Sequence, residues 1–138
     1  EELFRVPVLG RVVRWLGAYP VARQKGGVGA VKNTIALLSR GVSVGMFPQG
    51  HRYPGQNPAG TPVKQGAALI AAHTGVQILP VHIKMKDYRW KFFRRATVVV
   101  GKPIPFADFH YEPGKSGEYE RITRMIFEEI CRLGEGVK

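Results

Sequence analysis

Short apolar segments alternating with helix-length amphipathic ones constrain this chain more than any other feature. "VSVGMF" (42–47), "VQILPVHIK" (76–84) and "TVVV" (97–100) are too short for packed helices, and glycine or proline lies in or beside each. "TVVV" is the clearest β-branched run. Between them lie helical patterns. Val28, Val31, Ile35 and Leu38 predict a helix over 29–39, stopped at Gly41. "GAALIAAH" predicts a largely buried helix over 63–73. Tyr119, Ile122, Met125, Ile126, Phe127 and Ile130 predict a core-facing side for a helix over 117–133. Its outer side offers the pairs Glu120–Arg124 and Glu128–Arg132. Leu9, Val12, Val13 and Leu16 add an N-terminal helical pattern, and Tyr19, Val21 and Ala22 a short strand. The order predicts one α/β domain over 1–138: three layers, with a mixed central sheet flanked by helices. Loops after strands are the usual place for chemistry in such folds, which directs attention to Arg23 and to residues 49–52.

A chain of 138 residues suits one domain and buries roughly two thirds of its unfolded surface. The single cysteine, Cys131, excludes an intrachain disulfide framework and multi-cysteine metal sites. It lies in the last helical pattern without an activating partner. Lysine and arginine outnumber aspartate and glutamate by 21 to 10, giving a net charge of +11. That charge attracts nucleic acid, anionic lipid or phosphorylated small molecules without choosing among them. No apolar run approaches the ~20 residues of a membrane span. The acidic opening and the arginines of "EELFRVPVLGRVVRWLG" do not match a signal peptide. Without an initiator methionine, the chain is expected to be a fragment.

Phosphate cradles are the first chemistry to test. "GQNPAGTP" has P-loop glycine spacing, but Thr61 and Pro62 stand where lysine and serine or threonine belong. "GGVGAV" lacks the full dinucleotide fingerprint and the acidic residue about 20 positions onward. Arg23 and Lys25 before a glycine-rich helix start could still hold one phosphate; the alternative is a solvated turn with ordinary surface cations. His82 and Asp87 have dyad spacing, yet along a strand they would lie ~16 Å apart, so His82 reads as structural. His51, beside Arg52, suits cleft lining or anion contact better than general-base duty. His73 suits a helix C-terminus. His110 reads as surface structure, and no histidine–acid spacing supports a metal site. "YRWKFFRRA" (88–96) interleaves four aromatics with four cations. It could stack bases, sit in a lipid headgroup region, or simply pack its aromatics inward. No RNA-recognition aromatic motif, helix-turn-helix signature or zinc finger is present.

Three blocks occur in a telling order: "YPVARQKGG", "GMFPQGHRYPG" and "GVQILPVHI". They resemble the second, third and fourth motifs of the glycerolipid acyltransferase family, particularly its bacterial 1-acylglycerol-3-phosphate acyltransferases. "FPQGHR" is similar to that family's F-P-E-G-x-R block, with Gln49 at the glutamate position and His51 at the variable one. The resemblance implies transfer of a fatty acyl group, without a cofactor, from acyl-CoA or acyl-carrier protein to a glycerophosphate hydroxyl. It further implies peripheral association with the cytoplasmic face of the bacterial inner membrane. By the same resemblance Arg23 would bind the acceptor phosphate and Arg52 would reinforce it. Gly50 would permit the close turn, and Gln49 would organise the cleft by hydrogen bonding without a charge. The family's first motif, N-H-x-S-x-x-D, carries its catalytic histidine and aspartate and does not occur in this sequence. No catalytic residue is therefore expected in these 138 residues, and the fragment is expected to be inactive. The expected partners are an anionic membrane surface, lysophosphatidic acid or a related glycerophosphate, and acyl-carrier protein. The alternative is a basic noncatalytic module on anionic membrane or nucleic acid, with nucleic acid disfavoured.

Overall fold

A computed structural model describes Arg11, Trp15 and residues 28–136, and the chain divides into two compact units, Glu1–Val44 and Gly45–Lys138. In the first unit, Arg11 and Trp15 are helical and exposed, and helix α1 spans Val28–Ser39. The expected strand at Tyr19–Ala22 lies outside the described residues. Helix α1 ends as its glycine predicts. Gly41 has φ +76°, its N–H donates to the Leu38 carbonyl at 2.9 Å, and Val42 N–H reaches back to Leu37 at 3.0 Å. This reciprocal closure satisfies carbonyls that would otherwise be orphaned. Thr34 is the buried residue of α1, whereas Val28, expected on the inner side, is 59% exposed.

"VSVGMF" is not a strand. Residues 42–47 adopt no regular element, with Val42, Met46 and Phe47 all exposed. A strand needs a neighbour to take its backbone donors and acceptors, and no described strand pairs with this segment. The loop at residues 49–52 therefore does not follow a strand, and its position is set by contacts of its own.

The second unit carries the core. Helix α2 spans Gly66–Thr74, strand β1 Val81–Met85, strand β2 Ala96–Val100, and helix α3 Glu118–Glu135. The α/β class expected from the alternation holds, with a small antiparallel sheet and helices. Val81 pairs with Val100, Ile83 with Val98 and Met85 with Ala96. Pro80 interrupts the ladder, since it lacks a donor. The pairing resumes beyond it as a bridge between Ile78 and Ile104, with bonds of 2.9 and 2.8 Å. Alternation then separates two faces. His82 and Lys84 turn to α3, where they bond the carbonyls of Ile130 (2.9 Å) and Gly134 (3.2 Å). Val81, Ile83, Val98 and Val100 form an exposed apolar face.

Ala68, Phe109, Ile122 and Ile126 make the buried centre, ringed by Ile78, Ile104, Phe106, Tyr111, Tyr119 and Ile130. The core side of α3 runs through Ile122, Thr123, Ile126 and Phe127. Met125, expected among them, lies on the flank, 40% exposed, with Arg121 Nη1 at 3.3 Å from its sulfur. Gly101 permits close packing of the sheet end. A Cβ there would lie 2.9 Å from both Pro80 and Leu133. Glu120–Arg124 forms as expected at 3.2 Å. Arg132, however, takes Glu129 in place of Glu128, using both arms of its fork at 2.6 and 2.8 Å.

The start of α3 is tied down by a buried carboxylate. Glu118 is 4% exposed and accepts from Arg121 Nε (2.8 Å), Arg121 Nη2 (2.7 Å) and the Glu112 N–H (3.0 Å). The Arg121 bonds, helped by the Glu112 N–H, lower the Glu118 carboxyl from 4.5 to about 2. A carboxyl depressed in the folded state adds stability that is fully present above its unfolded pKa and is lost as pH falls through the folded one. The urea midpoint should fall between pH 4.5 and about 2. In Glu118→Gln that part of the decline should vanish, leaving a lower midpoint at neutral pH. Parallel pH profiles for the two proteins would contradict this.

Candidate functional site

The loop from Gly45 to Lys64 is held by local bonds rather than by regular structure. The Gly50 N–H donates to the Phe47 carbonyl at 3.1 Å, closing a turn with Gly50 at φ +66°. Glycine takes that conformation without steric cost, and a Cβ there would also press Lys64 Cγ at 3.3 Å. The Lys64 N–H returns to the Pro48 carbonyl at 2.7 Å and closes the loop's base. Asn57 caps the short 3-10 turn Pro58–Gly60, its Oδ1 accepting from the Ala59 N–H at 3.1 Å.

Gln49 is engaged inward. Its Nε2 donates to Thr61 Oγ1 at 2.6 Å, and that hydroxyl donates to the Pro58 carbonyl at 2.7 Å. The relay needs a donor at position 49, because the single Thr61 proton is already committed. A carboxylate, which only accepts, would draw that proton from Pro58 instead. Gln49 is thus held in the loop as a neutral side chain. Sequence reading missed Thr61, twelve residues away, because no local pattern signals such a pair.

His51 and Arg52, next to this fixed point, are exposed, and no ion pair joins Arg52 to another described residue. The turn Phe47–Gly50 thus directs the Gln49 amide inward, and Arg52, two residues beyond it, is exposed to solvent. Arg23, and with it the expected pairing of Arg23 with Arg52, lies outside the described residues. The far side of the loop is bonded to the segment joining β1 and β2. The Gly55 N–H donates to the Tyr88 carbonyl at 3.0 Å, and Arg89 lies across Gly55, where a Cβ would sit 2.7 Å from its Nε.

The other candidates have structural employment. His82 faces α3 and bonds Ile130, while Asp87 lies 3.6 Å from Arg94, so each of the two has its own partner. His73 bonds the Leu69 carbonyl within its own helix at 2.9 Å. His110 caps a 3-10 turn at φ +46° on the surface. Burial pushes the Cys131 thiol above its ordinary pKa, and Glu135 and Glu128 push it further, the reverse of nucleophile activation. Among the described residues, no cluster of histidine, cysteine and acidic side chains could hold a metal ion. No described helix is long and apolar enough to cross a membrane. A depression of about 310 Å³ is lined by Gly117, Glu120, Arg121 and Arg124. It includes no residue of the loop, and its charged side chains are committed to ion pairs.

Residues 1–84 match the family model described as Acyltransferase. The chain is 30% identical over 127 residues to a 1-acyl-sn-glycerol-3-phosphate acyltransferase of Bacillus subtilis, covering 91% of this chain and 60% of the relative. It is 38% identical over 141 residues to the Streptococcus pneumoniae protein of the same description, covering all of this chain and 50% of that one. A chloroplastic relative from Brassica napus is 35% identical over 81 residues, covering 57% of this chain and 23% of its own length. The chain thus spans about half to three fifths of the bacterial relatives it matches. No solved structure matches it significantly. With more than half its length in the family model and these bacterial relatives along nearly all of it, the chain belongs to the acyltransferase family.

Proposed function

We propose that the protein transfers a fatty acyl group from an acyl-CoA or acyl-carrier-protein thioester to the free hydroxyl of 1-acylglycerol-3-phosphate. In this reading the hydroxyl oxygen attacks the thioester carbonyl carbon, the C–S bond breaks, and the hydroxyl proton passes through a base to the departing thiolate. The reading requires such a base to be a histidine–aspartate pair, a motif that these 138 residues do not contain. This chain's part is to hold the acceptor by its phosphate, through Arg52 and Arg23. Fixing the phosphate converts a chance encounter into an oriented one, which lowers the barrier without supplying a proton acceptor. The reaction would take place at the cytoplasmic face of the bacterial inner membrane, with the protein peripherally attached.

The observation that carries this reading is the loop itself. Gln49 is pinned to Thr61, Gly50 makes the turn, and Arg52 stands in solvent, where an anion can reach it. The test is thiol release and phosphatidic acid formation from an acyl thioester and 1-acylglycerol-3-phosphate. A longer form of the protein that includes a histidine–aspartate motif is expected to be active, and the 138-residue chain to fall by roughly 10²–10⁴-fold or more, as expected for loss of a general base. Absence of acyl transfer by the longer protein with either donor would overturn the reading.

A further inference from the structure

The segment between β1 and β2, residues 86–95, turns its large side chains to solvent. Trp90 is 64% exposed, Phe92 76%, and Phe93 completely. Their rings form one cluster: Trp90 meets Phe92 edge-on at 4.5 Å, and Phe93 lies 6.5 Å beyond. Lys86, Arg89, Lys91, Arg94 and Arg95 flank them in the sequence, all exposed. The segment's single acid, Asp87, is 3.6 Å from Arg94. Asp87, Tyr88 and Phe93 have φ of +58°, +52° and +61°, a conformation that bulky residues seldom take.

Water gives no reason to hold three aromatic rings outward on such a turn, because exposing apolar area is unfavourable. The headgroup region of an anionic bilayer does. It accommodates amphipathic and aromatic rings at its depth and attracts cations to its surface. The chain's net charge of +11 acts in the same direction. The aromatic tip is also joined to the candidate site, through the Gly55–Tyr88 bond and the Arg89 side chain across Gly55.

We propose that residues 86–95 are a membrane-docking tip. Trp90, Phe92 and Phe93 enter the headgroup region of an anionic bilayer, and the cations around them pair with lipid phosphates. The Gly55–Tyr88 contact then keeps the turn at residues 49–52 close to the surface from which a lipid acceptor arrives. The benefit to catalysis rests on the proposed acyl transfer, but the docking itself is measured without turnover.

The chain has two tryptophans, so Trp15→Phe leaves Trp90 as the sole indole. This protein is mixed with vesicles of phosphatidylglycerol and phosphatidylcholine, with vesicles of phosphatidylcholine alone, and with a single-stranded oligonucleotide. The expected result with anionic vesicles is a blue shift of Trp90 emission, quenching by brominated lipid, and weakening with salt. Replacing Trp90, Phe92 and Phe93 together by serine should weaken sedimentation with those vesicles on the order of tenfold or more, with an unchanged urea midpoint. Vesicle binding undiminished in the triple variant overturns the docking tip and leaves the acyl-transfer reading standing. Absence of vesicle binding in the parent protein overturns the docking tip as well. So does tip-dependent binding of the oligonucleotide in preference to vesicles. Tip-dependent vesicle binding, together with absence of acyl transfer by the longer protein, supports the tip and removes the catalytic reading.

Discussion

Arg52→Ala, made in a longer form of the protein that transfers acyl groups, should raise the KM for 1-acylglycerol-3-phosphate by about 10- to 100-fold. That is the equilibrium equivalent of losing a charge-assisted hydrogen bond of roughly 1.5–3 kcal/mol. Folding should be untouched. Arg52 is exposed, and the backbone bonds that hold its loop, at Gly50 and Lys64, do not use its side chain. Because the phosphate is gripped equally before and during reaction, kcat should change much less than KM. Arg52→Lys should recover part of the loss, since an ammonium keeps the charge but not the two-armed geometry. Arg23→Ala should behave like Arg52→Ala. Unchanged acceptor kinetics in both alanine variants would show that neither arginine grips the phosphate.

Ile122→Ala should cost about 2–5 kcal/mol of stability, the range of a large-to-small truncation at the centre of a core. Ile122 is fully buried, and Ala68, Phe109 and Ile126 are buried in the same cluster, so the lost side chain leaves a cavity. Met125→Ala, three residues along the same helix, should stay within about 1 kcal/mol, because that side chain is 40% exposed. Urea unfolding of the two variants separates these outcomes. Similar losses at both positions would contradict the packing described for α3.

That contrast also marks what sequence could reveal. The six apolar positions of α3 located its axis and its inner side, but a stripe of that width includes its own edges. Only packing against the rest of the core decides that Ile122 is central and Met125 marginal. Gly41 was legible as a helix stop because its left-handed φ is a local requirement. Pro80 is visible inside "VQILPVHIK", and a residue without a donor must interrupt a ladder. "VSVGMF" misled because apolar content says nothing about whether a partner strand is present. Arg132 chose Glu129 over Glu128 through side-chain geometry that spacing alone does not rank.

At the site, residue identities were more legible than their connections. Gln49, Gly50, His51 and Arg52 came from the resemblance of one short block to a family motif. Gln49's engagement with Thr61 and the bond between Gly55 and Tyr88 are contacts at distances of 12 and 33 positions, and no periodicity encodes them. The aromatic-cationic segment could be read from sequence as lipid-facing, base-stacking or inward-packed. Its exposure removes the last of these.

The central claim, that this loop grips the phosphate of a lipid acceptor, is tested most directly by acceptor selectivity. Acyl transfer to 1-acylglycerol-3-phosphate and to the corresponding phosphate-free monoacylglycerol is measured for the parent protein and for Arg52→Ala. A phosphate grip predicts that kcat/KM strongly favours the phosphorylated acceptor in the parent, and that the variant loses activity on that acceptor alone. An equal loss on both acceptors, or no preference in the parent, would contradict it.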